Sequence, residues 1–463
     1  MKTTRGSISI FVLIMGVIFS ITIGGMVMFG SLEYTNSRRS ESYGRAVDIA
    51  EAGINYYRWH LAHDMTDYTD GTGNPGPYVH DYTDPQTGQV TGQFSLEITP
   101  PEPGSQVVTV KSIGASSQHP TIRRSVTVRF GAESLTAFSF LHNASVWFGQ
   151  GIMVSGEVFS NGGIRMDGTH DSLVKTSKAT YTCGTETGCW PPQQKPGVWG
   201  NGGPQELWQF PVPAFDFDSI VTDFNSLNAE SQVSGVYYGP SGAFGYHLIF
   251  KADGTVDVYK VTAATSRRGW NADDVCEVLF QTITNEQLLG NYNVEDKKLF
   301  YFEDTVWVEG TVKGKASVVA ARLPVESYST NIWINDNLVY EAQDGSTVLG
   351  LIAQSNIYFA YDIPQDFVIN ATMIAQNGRV MRHHYNRSGC SSGNKAVRDS
   401  LAIFGSLVTK EKSYWNFTGS GVLRSGFVDR IITYNQNALD GPPPYFPTTG
   451  VVKILSWEED VAN

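Results

Sequence analysis

Between Gly6 and Leu32 the chain carries no charged side chain, and Ile8 to Phe29 is rich in Ile, Val, Met and Phe. A helix rising about 1.5 Å per residue crosses a hydrocarbon core of about 30 Å with such a run. A cleaved secretory signal has a shorter apolar core, about 7 to 15 residues, followed by a small-residue cleavage site. This run is longer and leads directly into a helix-compatible stretch, so it reads as a retained transmembrane helix over residues 7–30. Lys2 and Arg5 precede it, while Glu33, Arg38, Arg39 and Glu41 follow with mixed sign. That asymmetry favours a cytoplasmic N-terminus, giving a single-pass protein of the inner or cytoplasmic membrane with its C-terminal domain outside the cytoplasm.

The helical pattern continues past the apolar run. Tyr43, Val47, Ala50, Ile54, Tyr57 and Leu61 recur at alternating spacings of four and three, which places them on one helical face and predicts an extended amphipathic helix over 31–65. The stripe can pack on its own β module, on neighbouring copies or partners, or on both at different heights.

Beyond this point the composition is that of a β protein. Gly 47, Tyr 22, Phe 24 and Trp 10, with only 17% charged residues, favour pleated half-buried surfaces and tight turns over surface helices. Asp64 to Gln93 is crowded with turn formers, and three alternating runs follow, Gly92–Thr99, Gln106–Ile113 and Thr121–Phe130, each reading as a strand. With the helix they predict a small α+β module whose β part covers 66–131.

After Gly131 a degenerate repeat emerges: apolar, any, apolar, any, small, any, apolar. It appears at Ile152–Val158, Val306–Val312, Val368–Ile374 and Leu401–Leu407, with looser copies at Thr347–Ile357 and Ser420–Val428. Short strands interrupted by a small residue are what a β-solenoid needs, because the small residue turns the corner while apolar residues stack from rung to rung. The reading for 132–463 is therefore a large all-β domain built as a right-handed β-helix, with a β-sandwich as the alternative. Residues 211–261 read as an insertion: a helix capped by Ser219 and carrying Ile220, Phe224 and Leu227, then a hairpin from Tyr246–Phe250 to Val256–Val261 turning at Asp253-Gly254.

The net charge of -12 and pI near 5.2 set the chain against nucleic-acid backbones, and no Lys/Arg stripe offsets it. Cys183 and Cys189 share one short loop and are a disulfide candidate in an oxidising compartment; Cys276 and Cys390 are a second potential pair, and reduced thiols are the alternative for all four. No Cys-x-x-Cys spacing points to zinc.

No nucleophile elbow, phosphate loop, zinc-protease helix or EF-hand ladder occurs, so neither catalytic residues nor a cofactor or metal is expected; a membrane-anchored β-helix enzyme acting on surface polysaccharide and a self-associating envelope scaffold are the alternatives to a non-catalytic protein. Three looser constellations stand out. Asp216, Asp218 and Asp223 offer carboxylates for a cation or for acid/base work, or simply a polar helix start. His383-His384 with Arg382 and Arg387 forms a basic cluster, or a solvated loop. Trp190, Trp199, Trp208 and Trp270, in Gly/Pro-rich surroundings, suit stacking on sugars or partners, or anchoring of their loops.

Three segments together resemble a known family. Lys2-Thr3-Thr4-Arg5-Gly6 followed by Ser7-Ile8-Ser9-Ile10-Phe11 is similar to the leader of type IV prepilins and pseudopilins, where a peptidase cuts between the positions held here by Gly6 and Ser7. Ala46-Val47-Asp48-Ile49-Ala50-Glu51-Ala52-Gly53 resembles the Ala-Glu-Ala-Gly segment of PilX-like pilus-assembly minor pilins. At the other end, Tyr434-Asn435, Pro442 to Pro447 and Leu455 to Glu458 resemble the ending of large PilX-like β-rich proteins. The resemblance implies a non-catalytic, structural protein whose partners are other pilin or pseudopilin subunits and the inner-membrane assembly machinery, with a surface glycan or host-cell ligand for the β domain. Pilins that build the filament carry a Glu five residues past the cut, where this chain has Phe11. That departure implies a priming or tip subunit over a bulk one.

Overall fold

One helix, α1, runs from Ser7 to His63, and the uncharged run makes up its first half. It is long and apolar enough to cross a membrane, with a mean hydropathy of 2.5 in its richest window and none of that window buried within the protein. The computed structural model describes residues 7–64, 67–101, 104–105, 107–218, 223–271, 273–325, 327–419 and 422–461. The chain divides into two units: residues up to 102 with 106–131 and those from 452 on, and residues 103–105 with 132–451.

In the first unit the second half of α1 lies on an antiparallel sheet of β1 (Tyr78–Thr83), β2 (Val90–Thr99), β3 (Val108–Ser116) and β4 (Arg123–Ser134), with Thr448–Val461 as the fifth strand. Ile49, Ala50, Ile54, Tyr57 and Leu61 share one core with Phe94, Leu96, Val110, Val126, Val128 and Phe130. Of the six stripe positions, Ala50, Ile54, Tyr57 and Leu61 are buried, Val47 is half-buried and Tyr43 is exposed. Ala46 and Ile49 are buried as well, so the packed face is centred slightly away from the pattern of large residues.

The reason is size. The inward positions of β3 shrink from Val108 and Val110 to Ser112, Gly114 and Ser116. A Cβ on Gly114 would stand 2.2 Å from the Ala46 carbonyl oxygen and 2.4 Å from the Ala50 nitrogen, and one on Gly53 would stand 2.3 Å from Ser112 Oγ. The Ala-Glu-Ala-Gly segment thus supplies the small helix positions that let the helix backbone approach the strand. Past the helix, Asp67 ties the following loop back: its carboxylate accepts from Thr69 N and Oγ1 at 2.8 and 2.7 Å and lies 2.8 Å from His60 Nε2, while Tyr57 Oη donates to its carbonyl at 2.9 Å.

The second unit is mostly β, and its strands pair in parallel across large sequence separations. One ladder carries an inward row of Val236, Phe300, Val318, Leu351, Met373, Leu407, Phe140, Val158, Val174 and Trp208, each the registered neighbour of the next. All belong to or pack on one large core. Adjacent residues on a strand face opposite ways, so Tyr301, Val319, Ile352, Ile374, Val408, Leu141 and Phe159 form the outward row. That row is buried too, under Phe217, Phe224, Leu227 and Phe446. A helix of residues Asp223–Val233 and the Pro-rich C-terminal segment therefore serve as its cover.

The ladder order is not the chain order. From Phe138–His142 the strands step through Glu157–Ser160 and Val174–Thr176 to Trp208–Gln209, and from Val236–Tyr238 they step in the same sense to Val397–Thr409, so that the later series ends against Phe138–His142, where the earlier one starts. The sequence repeat marks bends: Val397–Thr409 pairs through Phe404 with Val422–Thr433 and from Leu407 with Phe138–His142. Between them stands Gly405, where a Cβ would lie 1.9 Å from the Ala371 carbonyl oxygen.

Two expectations differ from this arrangement. Gly245–Phe250 pairs in parallel with Val306–Val312 and so belongs to the ladder system, not to an insertion, and the hairpin it opens extends through Thr255–Trp270 to Cys276–Asn293. The β body was read as running to 463, but the last strand, Thr448–Val461, joins the first sheet beside β4. The Ser219 cap and Ile220 lie outside the described residues.

Candidate functional site

Three segments distant in sequence meet around a cleft of about 580 Å³ in the second unit. Thr185 and Glu186 come from the Cys183–Cys189 loop, His384 and Arg387 from the segment that runs into the short strand Asn386–Arg387, and Lys412, Tyr414 and Phe417 from the segment after Val397–Thr409.

Two of the walls are fixed by more than packing. The first loop is closed by a disulfide between Cys183 and Cys189, their Cα atoms 5.6 Å apart. It is docked by Arg165, whose Nη1 donates to the carbonyls of Thr187 at 3.1 Å and Gly188 at 3.3 Å. That guanidinium lies between Trp147 and Trp199, 4.3 and 4.8 Å from the two rings, and its Nε donates to Asp167 at 2.7 Å. The second wall is crosslinked by Cys276–Cys390 to the tip of the long hairpin. Arg387 stacks on Trp270 at 3.9 Å and pairs with Asp274 of the same tip.

His383 and His384 separate as neighbours on extended backbone do. His383 is fully buried, with Nε2 2.6 Å from Glu277 Oε2, beside Trp333 and Tyr358. The hydrogen bond to His383 holds the Glu277 carboxyl below its ordinary range. His384 turns into the cleft and stacks on Phe417, centroids 4.8 Å apart and planes 10° apart; burial, then the Arg387 charge, lowers its imidazole pKa. Arg382 leaves the cluster altogether. It is buried, donates to the carbonyls of Ala396 at 2.5 Å and Lys395 at 2.9 Å, and burial lowers its guanidinium to about 10.

Lys412, which no local pattern singles out, is the cation that distinguishes the cleft. Its amine donates to the Glu186 carbonyl and makes no ion pair among the described residues, and burial lowers its pKa. Behind it His142 shares a 2.5 Å hydrogen bond with Thr409 Oγ1. Burial first, and the Lys412 charge second, hold that imidazole down at about 3.

The other sequence candidates lie apart from this cleft's lining. Asp216 Oδ1 accepts from the Asp218 nitrogen at 3.0 Å and Asp218 reaches Lys410 at 3.2 Å, while the Asp223 side chain is outside the description. No cluster of three or more His, Cys, Asp or Glu suited to a metal occurs among the described residues. Trp190 is 81% exposed, Trp199 donates to Tyr181 Oη at 2.8 Å, and Trp208 donates to His170 Nε2 at 2.9 Å. Ser7 begins α1, and Gly6 lies outside the described residues.

No protein-family model matches the chain, and no curated protein does. Among solved structures, the competence-associated pilin ComZ from Thermus thermophilus is similar over 91% of this chain and 98% of that one, with 14% identity and a TM-score of 0.29. A likeness of that size carries no argument for this chain.

Proposed function

We propose that this is a non-catalytic minor pilin-like protein, tethered in the inner membrane through residues 7–30 and acting in type IV pilus assembly, priming or tip display and adhesion. The observation that carries the reading is the second half of α1, whose Ala46, Ala50 and Gly53 lie flush on an antiparallel sheet while its first half stays apolar and uncovered. A helix partly in lipid and partly packed on its own head is the plan that the leader-like and Ala-Glu-Ala-Gly segments imply. The β-rich unit is then the displayed cargo, and the registered parallel ladders support the right-handed β-helix over the sandwich. Two disulfides suit an oxidising space outside the cytoplasm.

The partners on this reading are other pilin or pseudopilin subunits and the assembly machinery, with prepilin peptidase cutting between Gly6 and Ser7. Immunogold labelling together with filament counts in a deletion strain tests it. Labelled filaments and a reduced count are expected; a freely secreted product with unchanged filaments would sink the reading.

A further inference from the structure

We propose that the cleft between the Cys183–Cys189 loop, His384–Arg387 and Lys412–Phe417 binds a carboxylated sugar unit of a surface glycan. This deepens the adhesive part of the proposed function and rests on it for where the ligand is met, not for the chemistry of the cleft.

Charge comes first. In a chain of net charge -12, Lys412 and Arg387 converge here, beside the uncharged ring of His384, against one carboxylate among the described lining residues, that of Glu186. Arg387 is already matched by Asp274, so Lys412 is the unmatched cation. Its ammonium has three donors, of which the Glu186 carbonyl takes one. An incoming carboxylate supplies a further acceptor and relieves the cost of holding a half-buried ammonium with no ion pair of its own. One unmatched cation suits one carboxylate; a polyphosphate would meet the acidic remainder of the surface.

The rest of the lining is that of a sugar site. Phe417 and Tyr414 stand edge to face, 5.6 Å apart at 82°, and give apolar surface for the C–H face of a pyranose ring. Thr185 places a hydroxyl beside them for a sugar hydroxyl, while the Asn416 amide is taken up by the Phe427 backbone. The volume of about 580 Å³ lies within the range of small-ligand sites. Both loop walls are covalently stapled, so little ordering entropy is lost on binding.

The test is calorimetric titration of the full chain in detergent with a glucuronate-containing oligosaccharide, its carboxyl-reduced counterpart and a polyglutamate peptide. The acidic sugar is expected to bind, and the reduced form to bind about tenfold more weakly or worse, the size of one charge-assisted hydrogen bond. K412Q should weaken the acidic sugar by a similar factor. E186Q, an exposed change whose amide oxygen can still accept from Gly184 N, should tighten it about two- to fivefold by removing a charge of the ligand's own sign. Equal affinity for the reduced sugar, stronger binding of polyglutamate, or unchanged affinity in both variants would overturn the assignment. A deletion strain with normal filaments removes the pilus reading and leaves this titration standing; a flat titration removes the ligand and leaves the filament count standing.

Discussion

His142 and His247 are both buried imidazoles, and their surroundings drive them in opposite directions. For His247 burial alone would lower the pKa, but Glu286 at 2.8 Å and Glu309 at 3.6 Å carry it above its ordinary value. His142, with no carboxylate beside it in the hydrogen-bonded set, is held at about 3. Its unfolded value is about 6.5, so between those limits the unfolded chain binds a proton that the folded chain refuses. Stability from this residue is therefore full above about pH 6.5 and lost as pH falls towards 3, by up to about 1.4 kcal/mol per unit. Denaturant titrations of H142Q at pH 7.5 and 4.5 should show that part of the slope gone. For His247 the sign reverses: its contribution is complete below the unfolded value and fades as pH rises through the raised folded one, so H247Q should lose more stability at pH 5.5 than at pH 8.5. Equal losses at the two pH values would remove that account. Gly114 makes a steric case at the same scale. G114V drives a side chain into the α1 backbone and should cost about 1–3 kcal/mol in a thermal melt. G44A, at a helix position with nothing within 4 Å, should be neutral or slightly stabilising.

At the scale of elements, the helix tells how far a sequence pattern reaches. Periodicity located the packed face because Ile54, Tyr57 and Leu61 are large and recur correctly, but it favoured Tyr43 and Val47 over Ala46 and Ile49. Hydrophobic weight points to bulk, whereas closest approach to a strand requires small residues, and a helical alanine advertises neither. I54A should accordingly cost about 2–5 kcal/mol and V47A well under half of that, measured by the same melts. Strand β1 left little trace, since its residues alternate only between half-buried and exposed at a sheet edge. The hairpin strand Cys276–Asn293 is rich in Asn, Gln and Glu for a similar reason: much of it faces solvent. The basic cluster was visible as a local word, yet only His384 and Arg387 of its four residues reach the cleft. Lys412 and Phe417 arrive from another rung, and no local pattern encodes a neighbour made by stacking. The crosslinks separate by loop length. The Cys276–Cys390 bridge closes a loop with a sequence separation of 114 and the Cys183–Cys189 bridge one of 6. In the chain-entropy view C276S/C390S should cost about 4–5 kcal/mol and C183S/C189S about 2, read from denaturation midpoints.

For the whole molecule the apolar half of α1 is the feature that decides where it can reside. The full chain should sediment with membranes and resist alkaline carbonate, whereas a chain beginning at residue 33 should be released; a soluble full chain would remove the anchor. The order of the ladder has a further bearing on how the protein is made. Phe138–His142 has Glu157–Ser160 on one side, but its other neighbour is the far end of Val397–Thr409. At about 5–20 residues per second, ribosomes need tens of seconds to supply that neighbour, and until then an apolar edge stands without its partner. Nascent chains must be shielded through that interval, and a gene ending before codon 397 should give insoluble aggregates, never a shorter but well-behaved coil.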